Sequence, residues 1–236
     1  MATLAVIGAG PGLGRAIAQR FGADGFDIAL VARDPVRLDA LAADLGAGGL
    51  TARAYPADVT DRRALVSALQ RVEAELGSID VLVFNPANRL PALSIDEVTA
   101  EDTLRELEQK VLGAVTAVGA VLPGMRQRGH GSLLFTVGSS ALYPVPAIGA
   151  VGVAASGLRA YALSLHQALA AEGITVGLAV IDLFIKPGDG EADPDSIAER
   201  IHRLHVDRNP PEVKIGSLRD RGTPPPHDRR PAQGPR

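Results

Sequence analysis

The chain has 236 residues, 46% of them hydrophobic but only 3% aromatic, with 24 basic and 27 acidic side chains for a net charge of −3. That length fits one domain with a core of Ala, Val, Leu and Ile, and the charge gives no reason to expect nucleic acid or an anionic membrane as a partner. The absence of cysteine excludes disulfides, thiol catalysis and Cys-based metal sites.

Leu4–Gly8 reads as a buried strand that runs into Gly8-Ala9-Gly10-Pro11-Gly12-Leu13-Gly14 and then an apolar helix ending near Phe21. A strand this close to Met1 leaves no room for a signal peptide, which sets the expectation of a cytoplasmic protein. Gly8, Gly12 and Gly14 follow a G-x-x-x-G-x-G spacing. Between a strand and a helix such glycines let a pyrophosphate approach the helix N-terminus, so Gly8, Gly12, Leu13 and Gly14 are candidate dinucleotide contacts. The second strand, Asp27–Ala32, ends in Arg33-Asp34, with Arg37 one turn on. A cation there suits a ribose 2′-phosphate and favours NADP(H) over NAD(H).

Thr51–Tyr55 is the third strand, and Asp58-Val59-Thr60-Asp61 offers an N-cap for a helix striped by Leu65, Leu69, Val72 and Leu76. Val81–Phe84 is the fourth strand and delivers Asn85. Leu104, Leu107, Val111, Val115, Val118 and Leu122 stripe a long helix with Lys110 at the edge of that stripe, where it either polarises a substrate oxygen or snorkels to water. Ser132–Val137 is the fifth strand; Ser139, Ser140 and then Tyr143 follow at the sheet edge where ligands bind in such folds. Residues 131–158 carry no charge, but Pro144, Pro146 and scattered Gly and Ser argue for a buried strand and helix rather than a membrane span.

Leu158, Ala162, Leu165 and Leu169 stripe the next helix, Thr175–Ile181 is the sixth strand, and a last helix runs from Asp193-Pro194 to about His205. Beyond Val206 seven prolines and no helical or strand period predict a disordered tail, so residues 1–206 read as the folded domain and 207–236 as its appendage. His202 and His205 lack partners at metal-ligand spacing, and no metal is expected.

Taken together, the glycine cradle, Ala57-Asp58-Val59, Val83-Phe84-Asn85-Pro86-Ala87 and the Gly113-to-Met125 helix resemble the short-chain dehydrogenase/reductase family over residues 3–205. The resemblance implies a Rossmann-type, doubly wound parallel sheet of about seven strands in a three-layer, single-domain α/β fold. It also implies cofactor contacts from Asp58, Val59 and Asn85, and a homodimer or homotetramer built on the helices near 102–128 and 147–172. The family's reaction uses Asn, Ser, Tyr and Lys. Here Lys110 takes the Asn place, Gly138 the Ser place, Val151 the Tyr place and Ala155 the Lys place. No lysine lies four residues after Tyr55, Tyr143 or Tyr161. Lys110, Ser139 and Tyr143 are therefore the candidates for acting on a small-molecule substrate, while Asp182 at a strand end is either a base or a turn cap. Three functions stay open: an NADP(H)-dependent oxidoreductase of a carbonyl or enone with a substitute proton donor, a non-redox isomerase, dehydratase or cyclase, and a cofactor-binding regulator without catalysis.

Overall fold

Short runs of Val, Ile and Leu build the sheet, and the computed structural model describes them within residues 1–86, 93–208 and 210–217. The strands are β1 (Thr3–Ile7), β2 (Asp27–Ala32), β3 (Ala52–Pro56), β4 (Ile79–Phe84), β5 (Gly131–Gly138), β6 (Ile174–Ile181) and β7 (Glu212–Ile215). They pair in parallel in the order β3-β2-β1-β4-β5-β6-β7. The chain reverses its direction of growth between β1 and β4, and ligands bind outside the strand ends at such a switch point.

Strand residues alternate between two covered faces, as period-2 geometry requires. Ala5, Ile7, Phe84 and Phe135 point to a face covered by α3 (Arg62–Leu76), α5 (Gly113–Arg128) and α6 (Gly149–Leu169). Leu4, Val6, Ile28 and Leu134 meet α1 (Leu13–Gly22), α2 (Pro35–Ala47) and α7 (Pro194–Asp207) on the other face. The result is one three-layer α/β domain. Helix starts follow the side chains that satisfy their free N–H groups. Asp61 accepts from Ala64 N at 3.0 Å to start α3, and Thr99 and Asp102 form a reciprocal cap on α4 (Ala100–Leu107). Pro146–Leu169 is long and apolar enough, by length and composition alone, to cross a membrane; in the fold Ala154, Ala155, Leu158 and Ala162 of this helix are buried in the core.

Two sequence expectations change. The stretch beyond Val206 is not without a strand: β7 pairs Leu178 to Ile181 with Glu212 to Ile215, and Arg159 clamps its first residue through both carboxylate oxygens of Glu212. The rest of the expected tail, 218–236, lies outside the described residues, as does Ala87. The long apolar stripe is only in part the buried face: Val118 is in the core and Val111 and Leu122 pack against it, while Leu104 and Val115 do not. Residues 108–112 form a π-helical turn between α4 and α5, and its extra residue rotates the register. Leu104 and Val115 are 51% and 42% exposed, whereas Glu106, Gln109 and Lys110 are buried.

On the opposite face, α7 brings His205 Nδ1 to 2.8 Å from Ser132 Oγ and into ring contact with Phe21 and Phe26. Burial holds the His205 pKa below its ordinary value, with the charges of His202 and Arg208 adding to the effect and Asp24 and Asp80 opposing it. A histidine kept neutral in the fold stabilises above its unfolded pKa of about 6.5 and loses that contribution as pH falls through the lower folded value. The urea midpoint is expected to drop between pH 7.5 and 5.0, and His205→Phe to flatten that slope. Urea titrations at the two pH values check it.

Candidate functional site

The carboxyl ends of β1 and β2 open onto a cavity of about 1250 Å³ lined by Gly8, Gly10, Arg33, Arg37, Val59 and Gln109, among others. Its floor is the first turn. Gly8 N and Ala9 N both donate to Val31 O, at 2.9 and 3.2 Å, which ties the turn to β2. Gly8 has φ +87°, and a Cβ there would lie 2.2 Å from Asn85 O; no other residue fits. At Gly14 a Cβ would stand 2.9 Å from Ala9 Cα, so α1 could not begin this close to the strand. Gly10 and Gly12 differ: a Cβ at either would meet no protein atom within 4 Å. Packing does not require glycine at those two positions, and Gly10 lines the cavity. The first turn of α1 has no acidic residue, so its N-terminal N–H groups keep their attraction for an anion.

The end of β2 separates its two charges. Asp34 caps α2 by accepting from Arg37 N and pairs with the Arg37 guanidinium at 3.3 Å. Arg33 lines the cavity and makes no ion pair with a described residue. Asp58 Oδ1 accepts from Thr60 N and Oγ1 at 2.9 and 2.8 Å, which fixes the turn that carries Val59 to the cavity wall. Asn85 donates its N–H to Ile7 O and accepts at Oδ1 from Thr136 Oγ1, so it locks β4 to β1 and β5 beneath Gly8. Leu13 is 7% exposed and packs its side chain into the core, leaving its backbone as the part available to a ligand. These residues suit a dinucleotide: glycines open to the cavity, a bare helix N-terminus and an unpaired arginine beside the second strand.

The substrate-side candidates fall into two groups. Lys110 is 8% exposed in the π-helical turn, and its neighbour Gln109 is the residue that lines the cavity. Burial pushes the Lys110 ammonium pKa down, while the carboxylate of Glu106, one turn earlier, pulls it back up. Glu106 is itself 1% exposed, and neither of its carboxylate oxygens has a hydrogen-bond partner among the described residues. At the other group, Ser139 O accepts from Leu142 N and Tyr143 N, and this tight turn presents Tyr143 toward β7. The ammonium of Lys214 sits 5.7 Å from the Tyr143 ring centroid and 3.6 Å from Oδ2 of Asp182, a residue only 2% exposed. Asp182 is thus an ion-pair partner of β7 rather than a free base.

On α6, Val151 and Ala155 are 8% and 2% exposed. Buried Ser140 packs against Gly152 beside them. Sequence reasoning missed Glu106, Gln109 and Lys214. The i, i+4 spacing of Glu106 and Lys110 was a visible signal for the first; nothing local marks Lys214. Among the described residues no three His, Asp or Glu side chains gather as a metal site.

The glycine turn, switch point and strand order define a Rossmann-type α/β protein, and a family model described as short chain dehydrogenase matches residues 2–183. The chain belongs to the short-chain dehydrogenase family. It is 29% identical over 195 residues to the (2S)-[(R)-hydroxy(phenyl)methyl]succinyl-CoA dehydrogenase subunit BbsC of Thauera aromatica, covering 83% of this chain and 75% of that protein. It is 32% identical over 192 residues to the 2,3-dihydro-2,3-dihydroxybenzoate dehydrogenase of Bacillus subtilis, covering 80% and 69%. Among solved structures, the NADPH-bound short chain oxidoreductase of Pseudomonas aeruginosa PAO1 containing an atypical catalytic center superposes with a TM-score of 0.83 at 22% identity, over 94% of this chain and 98% of that one.

Proposed function

We propose that the protein is an NADP(H)-dependent oxidoreductase of a small carbonyl or enone, with Lys110 at the substrate oxygen in place of the family's Tyr–Lys pair. The observation that carries this reading is a buried lysine beside the one residue of its turn, Gln109, that lines the dinucleotide cavity. Val151 and Ala155 can neither exchange a proton near neutral pH nor hold a ribose, so the proton comes from elsewhere. When bound, NADPH supplies a hydride to the substrate carbon. Gly8, Gly12, Leu13, Gly14, Asp58, Val59 and Asn85 hold and frame the dinucleotide. Lys110 steadies charge at the substrate oxygen, and Ser139 and Tyr143 border the substrate side. The Pseudomonas neighbour, which carries NADPH and an atypical centre on the same fold, supports the reading.

The test is NADPH consumption followed at 340 nm against a panel of small aldehydes, ketones and enones. Turnover of at least one supports the assignment. Tight NADPH binding with no turnover of any points instead to a cofactor-binding subunit, a reading that the subunit name of the Thauera relative favours.

Arg33 is proposed to select NADP(H), since it is the cavity arginine left without a carboxylate. A charge-assisted phosphate contact contributes about 1.5–3 kcal/mol. Arg33→Ala is therefore expected to weaken NADPH binding about 10–100-fold and to leave NADH nearly unchanged, as read by calorimetry. The exposed Leu104, Val115 and Val153 on α4, α5 and α6 support a homodimer or homotetramer through those helices. Light scattering on the eluted protein should give two or four chain masses, and Val153→Glu should shift it toward one.

A further inference from the structure

Two ionisable side chains of opposite charge are buried one helical turn apart at the junction of α4 and the π-helical turn. Glu106 is 1% exposed and Lys110 8%. Burying one charge alone is costly, and an isolated carboxylate without donors is among the costliest groups a fold can hold. Among the described residues, Glu106 is the one charge that acts on Lys110. The half of α6 packed against this region, Gly149–Leu158, has no titratable side chain. On α4 itself Glu101 and Arg105 pair with each other at the surface, and Asp102 is engaged by Thr99 and Arg105. Glu108, in the π-helical turn, is only half-buried. The helices pack closely here: Val111 Cγ2 comes within 3.1 Å of where a Cβ at Gly157 would stand, tighter than an ordinary contact. A π-helical turn at this point adds a residue and brings Gln109 and Lys110 together onto the buried face.

We infer that Glu106 is a positioning residue that works through Lys110: its carboxylate keeps Lys110 in the ammonium form inside the protein, ready to give a proton to the substrate oxygen. The inference rests on the role given to Lys110 under the proposed function and extends it to a residue that touches neither substrate nor cofactor. In the step, an N–H bond of Lys110 breaks as the substrate oxygen takes the electron pair of the reduced C=O bond and forms an O–H bond. The neutral amine then recovers a proton from water, drawn back by the charge of Glu106. No other acid is consumed, and the two electrons come from the reduced nicotinamide dinucleotide.

The experiment uses the full chain labelled with 13C in lysine and glutamate. The chain has three lysines, Lys110, Lys186 and Lys214, so the Cε signals are assignable by single Lys→Arg variants. The Lys110 signal is expected to titrate below the ordinary lysine range. Glu106→Gln is expected to move its midpoint down by roughly one pH unit or more, and Glu106→Asp to restore most of the difference. In the unsubstituted protein, the titration step of the Glu106 carboxyl signal should also appear at Lys110, a readout that survives even where the Gln variant does not fold. The alkaline limb of the kcat profile, on whichever carbonyl the panel identifies, should shift with the midpoint while KM for NADPH stays constant. A Lys110 midpoint unchanged by Glu106→Gln, or no coupled step in the unsubstituted chain, overturns the inference. If Lys110→Met leaves turnover intact while the coupling is present, the proposed role of Lys110 fails and the pairing itself stands.

Discussion

Lys110→Met is expected to lower kcat on the carbonyl substrate by about 10²–10⁴ while leaving NADPH affinity within a factor of about two. Methionine has nearly the length of lysine and is apolar, so it suits the buried position. What disappears is the only lysine buried among the described residues, and with it both the proton and the positive charge that meet the developing oxyanion. Removing the cation also leaves the Glu106 carboxyl, already without a hydrogen-bond partner among the described residues, with no opposite charge one turn away. Steady-state kinetics beside calorimetric NADPH titration separates the two effects. A variant with unchanged kcat would place the proton donor elsewhere, with Tyr143 next to Lys214 the first residue to test.

The second large effect is structural. Gly8→Val is expected to destabilise the fold by about 3 kcal/mol or more, because it adds an unfavourable φ to a collision with backbone that cannot move aside. The obstacle is Asn85 O at 2.2 Å, and Asn85 is itself pinned to Ile7 and Thr136. For a chain of this size that corresponds to a Tm lower by roughly 6–12 °C. Gly12→Ala provides the contrast, since its Cβ meets no protein atom within 4 Å. Its Tm should match the parent, whereas its NADPH affinity should fall. Differential scanning calorimetry with and without NADPH reads both variants, and equal behaviour of the two would mean the cradle serves packing alone.

Much of the fold was legible because β1, β2, β4, β5 and β6 are rich in Val, Ile and Leu buried on both faces, and such runs declare themselves. The glycine turn was legible for a related reason: Gly8, Gly14 and Arg33 stand close to the ends of strands whose positions the pattern already marks. β7 was missed because Glu-Val-Lys-Ile offers four residues inside a proline-rich segment, and its strand identity comes from β6 alongside it. The substrate side was hidden by two effects. A strict 3.6-residue period assigns Leu104 and Val115 to the core, and the π-helical turn replaces them there with Glu106, Gln109 and Lys110. Tyr143, Asp182 and Lys214 come from three separated segments and meet only once β5, β6 and β7 lie side by side. Local pattern carries no trace of that meeting.

The central claim is that the turn between β1 and α1 seats a phosphorylated nicotinamide dinucleotide. Isothermal titration of the unsubstituted protein with NADPH and, separately, NADH tests it most directly. The account predicts saturable binding of one NADPH per chain, with NADH at least about 10-fold weaker. Heat of binding absent for both dinucleotides would contradict it.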